Sequence, residues 1–510
     1  MVSTANRNKY GGKLMTLLML PYPLLYFIPL IVGCGLGILI ALDPFLSNIM
    51  ANWIDITVAG INIFKLYPYE LSSLILLAVF LLPFVKQILE NIFINIERTF
   101  IIIFFIGTYI VSLTKISRFD LSELVIILFS MLLLLKFMVE NNRFKVPPIV
   151  ILNFIFFASL YLSSMNAGVM SILDNFLTSV KFTLLTFLIS NFIHDRKLLG
   201  LSLKVVVVLT VISSLIGIVQ EIIYITLGIP IVGFVDAKDI KLYMFEVTSF
   251  GTFLRVPAFF GTYKPFTLFL VMAILIIFNY LLYQKPSGLK KNITLIFSIL
   301  LMFTALILTF TKDGLLSLFV GVIFSIILRK PPFIFYLIIC FLIGAALYLS
   351  GFLDDLQKEI SSEFYRGEYR IRLQLAREGI LGFMHKHPWI GVGLRNTREY
   401  TGHFYGWPAH NPFILAADAF GIVGLLLYVI LLGFSLLNLI KVNLIAEKTS
   451  DKWIARALLS AFIAILTLIQ FTTLFLERFM WMYMGIIQAC TIVMVKNTRT
   501  RCAFNEQSRS

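Results

Sequence analysis

Residues 265–283 read PFTLFLVMAILIIFNYLLY, nineteen consecutive positions without a charged side chain. At about 1.5 Å of rise per residue, a helix of this length spans roughly 28 Å, close to the ~30 Å apolar thickness of a bilayer. Comparable apolar runs recur from Leu14 to Val495. The 510-residue chain is 59% hydrophobic and 14% charged, whereas a soluble domain averages about 45–50% and about 25%. These features predict a membrane protein.

The apolar runs, broken at charges, prolines and glycines, give the number and kind of the spans. Each span must be helical, because the backbone groups of an open sheet edge cannot be satisfied in lipid. We therefore predict an all-α polytopic membrane protein with about 14 (12–14) transmembrane helices and a large periplasmic helical loop. The candidate spans are residues 14–41, 70–85, 99–113, 121–139, 148–163, 176–193, 203–227, 265–283, 293–310, 314–328, 333–350, 412–440, 457–474 and 479–495.

The distribution of basic residues predicts the orientation, because Lys and Arg in short loops favour the cytoplasmic side. With the N-terminus inside, 23 Lys and Arg residues fall in the termini and short segments assigned to the cytoplasm. Only 5 fall in short segments on the outer side. We therefore expect both chain ends in the cytoplasm.

Two long segments on the outer side, 228–264 and 351–411, carry 12 further cations. A structureless loop of about sixty residues is uncommon in a compact protein, and apolar residues at helical spacing between Leu353 and Met384 predict one or two amphipathic helices. The predicted organisation is transmembrane helices 1–11 in residues 1–350, a periplasmic loop with the candidate site at 351–411, helices 12–14 in 412–495, and a cytoplasmic basic tail at 496–510.

Four arginines of this loop fall within twelve residues, namely Arg366, Arg370, Arg372 and Arg377. A guanidinium binds phosphate oxygens bidentately and stays charged at any physiological pH, so such a cluster at a membrane surface suits a diphosphate. The other interpretation is a solvated helix face on which these arginines pair with glutamates at 363, 368 and 378. The charges alone leave both interpretations open.

The second half of the loop carries a more specific pattern. It reads HKHPWIGVGLRN at 385–396 and HFYGWPAHNPFILAADAFGIVG at 403–424. His410-Asn411, nine residues, and then Gly421 and Gly424 match the signature of the O-antigen ligases, and residues 388–393 match a Pro-x-x-Gly-x-Gly turn. We interpret these glycines as tight turns and close helix packing. The chain thus resembles the O-antigen ligase and O-antigen polymerase superfamily of membrane glycosyltransferases.

Three further elements of this resemblance lie outside the signature. Arg255 opens RVPAFFGTYKPF, which is similar to the family's arginine-bearing entry to the next span, although Phe266 stands where Asn is usual. The corner TFTKDG at 309–314 is similar to the family's Thr-x-Ser-Arg-Gly element, with Lys312 in place of arginine. Arg377 to Leu381 fits an Arg-x-x-x-Leu element described for ligases. The resemblance covers about 250–433.

The resemblance implies an inverting, metal-independent glycosyltransferase without a cofactor, in a bacterial inner (cytoplasmic) membrane, with its active site facing the periplasm or cell exterior. It implies as partners an undecaprenyl-diphosphate-linked oligosaccharide as donor, a glycan or lipid A core acceptor, the lipid bilayer and a chain-length regulator. The implied catalytic residues are His410, Arg372 and Arg255. The implied substrate-binding residues are Arg370, Arg377, Asn411, Lys312, Trp389 and Asp418.

Residue chemistry agrees with a role for His410, but other interpretations stay open. A neutral imidazole can accept a proton from a sugar hydroxyl, and the alternative is an interfacial histidine with satisfied hydrogen bonds. Asp418, eight residues on, either orients a site residue or pairs with a structural Lys or Arg. Trp389 either stacks on a sugar ring or belongs to the aromatic belt of the membrane interface.

Several other functions are weighed against this one. The histidines at 385, 387, 403 and 410 are spaced by 2, 16 and 7 residues, which fits no known metal-ligand pattern. The net charge of +15 is not carried by a soluble basic module, so nucleic acid is not predicted as a partner. A ligase that uses lipid A core and a polymerase that uses another undecaprenyl-linked repeat both stay open. A polytopic transporter or lipid-linked glycan flippase is the alternative class, and it would place polar residues along several spans.

Overall fold

The computed structural model describes the larger part of the second half of the chain and a smaller part of the first half. The described residues are 96–109, 115–116, 119–120, 126, 130, 146–164, 169–228, 245–248, 251–260, 262–284, 288–329, 374–381, 384, 388–393, 411–446, 449–472 and 477–507. Their helices are α1 (Ile96–Tyr109), α2 (Pro148–Ser164), α3 (Val169–Phe192), α4 (Arg196–Leu227), α5 (Tyr263–Gln284), α6 (Leu289–Leu308), α7 (Lys312–Arg329), α8 (Pro412–Ile445), α9 (Thr449–Leu468) and α10 (Arg478–Gln507). Residues 374–381 are also helical.

Six of these helices are long and apolar enough to cross a membrane, namely α4 to α6 and α8 to α10, with α9 continuing through the 3-10 helix Ile469–Phe471. Helix α2 is apolar but shorter. The prediction of a helical membrane protein is confirmed. The count of about fourteen spans stays a prediction, because the candidate spans 14–41, 70–85 and 333–350 lie outside the described residues.

Two short antiparallel hairpins add strands that the sequence did not predict. Strands β1 (Lys115–Ile116) and β2 (Phe119–Asp120) pair Lys115 with Asp120, and β3 (Phe245–Thr248) and β4 (Gly251–Leu254) pair Phe245 with Leu254. Both hairpins fall in predicted connections rather than in predicted spans. The second one leads directly into the segment that carries Arg255.

The exposed faces of the outer helices are apolar. Phe154 of α2, Leu215 of α4, Phe297 of α6 and Leu437 of α8 are among the large apolar side chains left exposed. Lipid tails are about as apolar as leucine, so such faces are satisfied against a bilayer. Helices α5, α9 and α10 are largely buried and form the centre of the described bundle.

An aromatic cluster holds the described N-terminal helices against the C-terminal one. The ring of Trp481 in α10 lies 4.8 Å from that of Phe157 in α2 and 5.9 Å from that of Phe182 in α3. Next to it, the amide of Asn153 donates to the Thr186 hydroxyl at 3.0 Å. Aromatic burial fixes the packing of α2 and α3 on α10, and the Asn153–Thr186 hydrogen bond joins α2 to α3.

Short connections make neighbouring helices antiparallel within α5 to α7 and within α8 to α10, and the bundle has two distinct ends. One end, here called the tail end, has the ion pair of Arg196 with Asp451 at 2.9 Å and the ring contact of Tyr280 with Trp453 at 5.2 Å. The other, here called the loop end, has the beginnings of α5, α7, α8 and α10 and the ends of α4, α6 and α9. The described residues that the sequence assigns to the site lie at or near the beginning of α8, at the first residue of α7, in the segments 251–260 and 388–393, or, for Arg377, on the helical residues 374–381.

Candidate functional site

Arg255 follows β4 directly and lies against the beginning of α5. Its guanidinium donates a hydrogen bond to the Tyr263 hydroxyl at 2.9 Å, and its Cζ lies 5.1 Å from the centroid of the same ring. Tyr263 is buried, whereas Arg255 is partly exposed. A guanidinium held over an aromatic face in this way keeps its charge in a defined position. Arg255 is therefore an ordered cation at the loop end.

The corner between α6 and α7 places Lys312 at the first position of α7, where its side chain is exposed. The hydroxyls of Thr309 and Thr311 lie 2.7 Å apart, and the Thr267 hydroxyl of α5 lies 3.4 Å from the first and 3.0 Å from the second. All three threonines are buried. These hydroxyl contacts hold the corner against α5. The backbone of Lys312, the first residue of α7, therefore has a defined position.

The Arg255 segment and the Lys312 corner contact each other. The Val256 amide donates to the Leu308 carbonyl at 3.2 Å, and the rings of Phe253 and Phe310 lie 5.5 Å apart. Phe310 has a φ of 50°, a left-handed conformation that costs a bulky residue free energy. The segment that carries Arg255 and the corner that carries Lys312 belong to separate sequence motifs. In the structure, residues next to Arg255 contact residues of the corner.

Helix α8 is interrupted at Gly421, whose φ of 71° and ψ of −170° are not helical. In an unbroken helix, the amides of residues 422 and 423 would donate to the carbonyls of residues 418 and 419. Here the segment 388–393 lies between them and takes over both pairs. The four bonds are Val392 N to Asp418 O at 2.9 Å, Gly393 N to Ala419 O at 3.0 Å, Ile422 N to Pro388 O at 2.8 Å and Val423 N to Trp389 O at 3.4 Å. We call this arrangement the crossing.

Two glycines permit the close approach at the crossing. A Cβ added to Gly391 would lie 2.4 Å from the carbonyl atoms of Ala419, and one added to Gly421 would lie 2.3 Å from those of Trp389. Both glycines have positive φ, 75° and 71°. Only glycine meets both demands without strain. The interpretation of these glycines as a tight turn and a close approach is confirmed.

Asn411 begins α8 as its N-cap. Its side-chain oxygen accepts hydrogen bonds from the amides of Phe413 at 2.9 Å and Ile414 at 3.2 Å, and its amide nitrogen donates to the carbonyl of Gln470 at 3.3 Å. Asparagine is a favoured N-cap because it satisfies amides that the first turn leaves without partners. The contacts give Asn411 a structural role, and its binding of substrate stays a prediction. His410 precedes this cap in the sequence and lies outside the described residues.

Asp418 is fully buried in the first segment of α8, seven residues after the cap. Among the described residues, neither oxygen of its carboxylate has a hydrogen-bond partner. A buried carboxylate without compensation is costly, and in a membrane such groups face the protein interior and pair with a cation or a polar group. Asp418 thus differs from Ser435 of the same helix, whose buried hydroxyl donates to the Leu431 carbonyl at 2.9 Å.

The structure describes some of the remaining predicted residues, and their roles stay predictions. Arg377 is exposed on the helical residues 374–381, where the neighbouring Glu378 accepts a hydrogen bond from Gln374 at 2.9 Å. Trp389 is 70% exposed in the turn that makes the crossing. Arg372 and Arg370 lie outside the described residues, as does the histidine group at 385, 387 and 403. Within the described ranges, no group of three or more His, Cys, Asp or Glu side chains could hold a metal ion.

The structure adds Glu477, which the sequence analysis did not single out. It immediately precedes α10 at the loop end, and its charge interacts with those of Arg478, Lys181 and Lys264. Burial raises the pKa of the Glu477 carboxyl, while the three cations oppose that shift. In the sequence, Glu477 lies between two apolar spans and next to an arginine. This position could have marked it as a candidate site residue.

A comparison with protein families bears on this arrangement. Residues 297–429 match a family model described as O-antigen ligase. This match supports the O-antigen ligase and polymerase superfamily. The matched residues include the Lys312 corner, the arginine-rich loop and the crossing, whereas Arg255 precedes them. The resemblance that the sequence analysis drew from the His410 signature is confirmed, and the family supports a membrane glycosyltransferase of the ligase or polymerase type. No curated protein matches the chain.

Proposed function

We propose that this chain is an inverting glycosyltransferase that moves a glycan from an undecaprenyl diphosphate carrier to a sugar hydroxyl. The observation that carries the proposal is the position of Arg255, Lys312 and the beginning of α8 at one end of the bundle. A lipid diphosphate presents its charge where a span meets water, so cations at the ends of spans suit it. We propose the bacterial inner membrane as the location and the periplasmic or outer side as the side of the site.

The proposed mechanism assigns the cations and the histidine to different substrates. Arg372 and Arg255, with Arg370, Arg377 and Lys312, hold the diphosphate and stabilise the negative charge that develops on it as the glycosidic bond breaks. His410 takes the proton of the acceptor hydroxyl as that oxygen bonds to the anomeric carbon from the opposite face. The products are the extended glycan with inverted configuration and undecaprenyl diphosphate.

In this mechanism Asp418 and Trp389 support the acceptor side. A buried carboxylate in α8, two turns below the cap that follows His410, can orient the imidazole or a nearby cation. The exposed indole of Trp389 offers an apolar face to a sugar ring. Because guanidinium groups supply the charge stabilisation, we propose that no metal ion takes part. Transfer should then continue in excess chelator, and loss of activity that Mg²⁺ or Mn²⁺ restores would refute metal independence.

The proposal is tested by measuring donor binding and transfer separately. Removing one electrostatic donor from such a site typically costs about 2–4 kcal/mol, roughly 30- to 1,000-fold in rate. Arg372→Ala should therefore weaken binding of the undecaprenyl-linked glycan, and Arg372→Lys and Arg255→Lys should stay impaired because lysine lacks the planar fork. His410→Ala should keep donor binding and lower transfer by about 10²- to 10⁴-fold.

Arg329 provides the matched control, because it is an exposed arginine at the last position of α7. Arg329→Ala should leave both donor binding and transfer within about twofold. If His410→Ala loses donor affinity while Arg372→Ala keeps it, the assigned roles are wrong. If the native protein and all these variants move lipid-linked glycan across the membrane and none of them transfers it to an acceptor, the protein is a transporter or flippase and not a glycosyltransferase.

The acceptor is tested by offering two substrates to the same purified enzyme. Transfer to lipid A core alone would identify a ligase, and transfer to a second undecaprenyl-linked repeat would identify a polymerase. The proposed site serves either reaction, because both acceptors present a sugar hydroxyl and both donors leave a diphosphate.

A further inference from the structure

The segment that carries Arg255 is attached to one face of α4 by side chains from inside the span. Gln220 bonds to Ala258 twice, accepting from its amide at 3.1 Å and donating to its carbonyl at 3.3 Å. Both oxygens of Glu221 accept from the Leu254 amide, at 3.3 and 3.2 Å. Gln220 and Glu221 are 5% and 2% exposed, so these bonds form away from solvent.

The same face of α4 also fits the segment sterically. Gly217 lies one turn before Gln220 and Glu221, so the three residues share one side of the helix. A Cβ on Gly217 would lie 2.6 Å from Cγ1 of Val256, so the glycine leaves the space that the valine fills. Leu254, Val256 and Ala258 are thus each matched to one residue of α4, and Arg255 stands between the first two.

The backbone of this segment is strained where Gln220 holds it. Ala258 has a φ of 49°, a left-handed conformation that side-chain-bearing residues rarely adopt. Such conformations persist where the surroundings determine them. Gln220 bonds to both backbone groups of Ala258 in the way that a neighbouring strand would, and thereby satisfies them inside the span.

The amide of Gln220 and the carboxylate of Glu221 are unfavourable groups to bury at this position. Burying them in an apolar span costs free energy that an apolar residue would not cost, and helix packing alone does not require them. Their bonds go to the residues on either side of Arg255. From these contacts we infer that Gln220 and Glu221 are positioning residues, which fix the Arg255 guanidinium against Tyr263 for the donor diphosphate. The inference rests on the proposed function of Arg255.

The test uses four substitutions in the whole chain, and two of them are repeated in an Arg255→Ala background. Gln220→Leu and Glu221→Leu remove the bonds at similar volume, whereas Glu221→Gln keeps a side-chain oxygen that can accept from the Leu254 amide. Asn279→Leu is the matched control, because Asn279 is fully buried in α5 and donates to the Ser325 hydroxyl of α7 at 2.9 Å. It lies sixteen residues from Tyr263, about 24 Å along the helix at ~1.5 Å per residue.

Hydrogen exchange measured by mass spectrometry reports on the attachment itself, independently of activity. The amides of Leu254 and Ala258 should exchange at least about tenfold faster in Glu221→Leu and Gln220→Leu respectively, because an amide that loses its acceptor loses protection. Glu221→Gln and Asn279→Leu should leave both amides protected. Unchanged exchange in both leucine variants would show that α4 does not hold the segment, and the inference would fall.

Donor affinity in two backgrounds separates positioning from general stability. In the native background, Gln220→Leu and Glu221→Leu should weaken binding of undecaprenyl-linked glycan about tenfold, and Glu221→Gln should restore it to within about threefold. In an Arg255→Ala background, the leucine substitutions should add less than about twofold, because they act through a group that is absent. A full tenfold loss in both backgrounds would refute positioning. Normal donor binding by Arg255→Ala alone would instead refute the proposed function of Arg255.

Discussion

Gly391→Ala is the substitution for which the structure gives the most definite expectation. The new Cβ would lie 2.4 Å from the Ala419 carbonyl, so segment 388–393 must move away from α8. A left-handed φ costs a residue other than glycine about 1–2 kcal/mol. If the shift breaks two of the four backbone bonds of the crossing, at about 1 kcal/mol each, the total loss is about 3–4 kcal/mol. Transfer should fall by about 10²-fold, since a misplacement of about 1 Å near a site has that effect.

The measurement pairs thermal unfolding in detergent micelles with glycan transfer at a temperature where the variant is folded. Gly433→Ala is the control, because Gly433 belongs to the same helix and nothing lies within 4 Å of its added Cβ. Alanine should leave stability unchanged or raise it by up to about 1 kcal/mol through helix propensity. If Gly391→Ala unfolds and transfers like Gly433→Ala, the crossing does not hold the site together.

Three further outcomes follow from topology and charge. Three variants, each with one engineered cysteine, test the orientation in intact cells with a membrane-impermeant thiol reagent. The cysteines of Lys290→Cys and Lys448→Cys should be shielded from the reagent, and that of His403→Cys should react. Labelling at 290 would overturn the proposed orientation. Asp418→Asn should lower transfer at least about tenfold at unchanged thermal stability if the carboxylate orients a site group, and an equal fall of both would indicate a structural partner instead. The pKa of Glu477 is raised in the folded protein, so the folded state binds the proton of this carboxyl more tightly than the unfolded state does. The free energy of unfolding should therefore decrease as pH rises above the ordinary pKa of 4.5. Glu477→Gln should weaken this dependence of stability on pH, measured by thermal melting at several pH values.

The helices could be predicted from the sequence because membrane burial leaves a strong signal. The predicted span 148–163 corresponds to Pro148–Ser164, and 265–283 corresponds to Tyr263–Gln284. The ends were less predictable where a helix continues in water. Helix α10 extends to Gln507, through most of the predicted tail 496–510, because the basic residues after Val495 end the apolar run but are good helix formers.

The contacts of the site could be predicted only in part. The motif predicted a turn at residues 388–393 and close packing at Gly421, since glycine at such positions has few other reasons to occur. That the turn inserts into a break of α8 has no signal in hydropathy, because the sequence stays predominantly apolar on both sides of Gly421. The hydrogen bonds of Gln220 and Glu221 to the segment that carries Arg255 were also not predicted. Two adjacent polar residues in a span do not indicate which residues they contact.

The crossing gives the spacing of the signature a physical meaning. Asn411 caps α8 and Gly421 breaks it, so the nine residues between them form one helical segment about 13.5 Å long, at ~1.5 Å per residue. One residue more or fewer would turn the cap by about 100° relative to the break, since a helix has about 3.6 residues per turn. Asp418, seven residues after the cap, stands about two turns below it on the same face. The spacing therefore fixes the orientation of Asn411, the residue that follows His410 in the sequence, relative to the break, and the backbone of segment 388–393 fills that break.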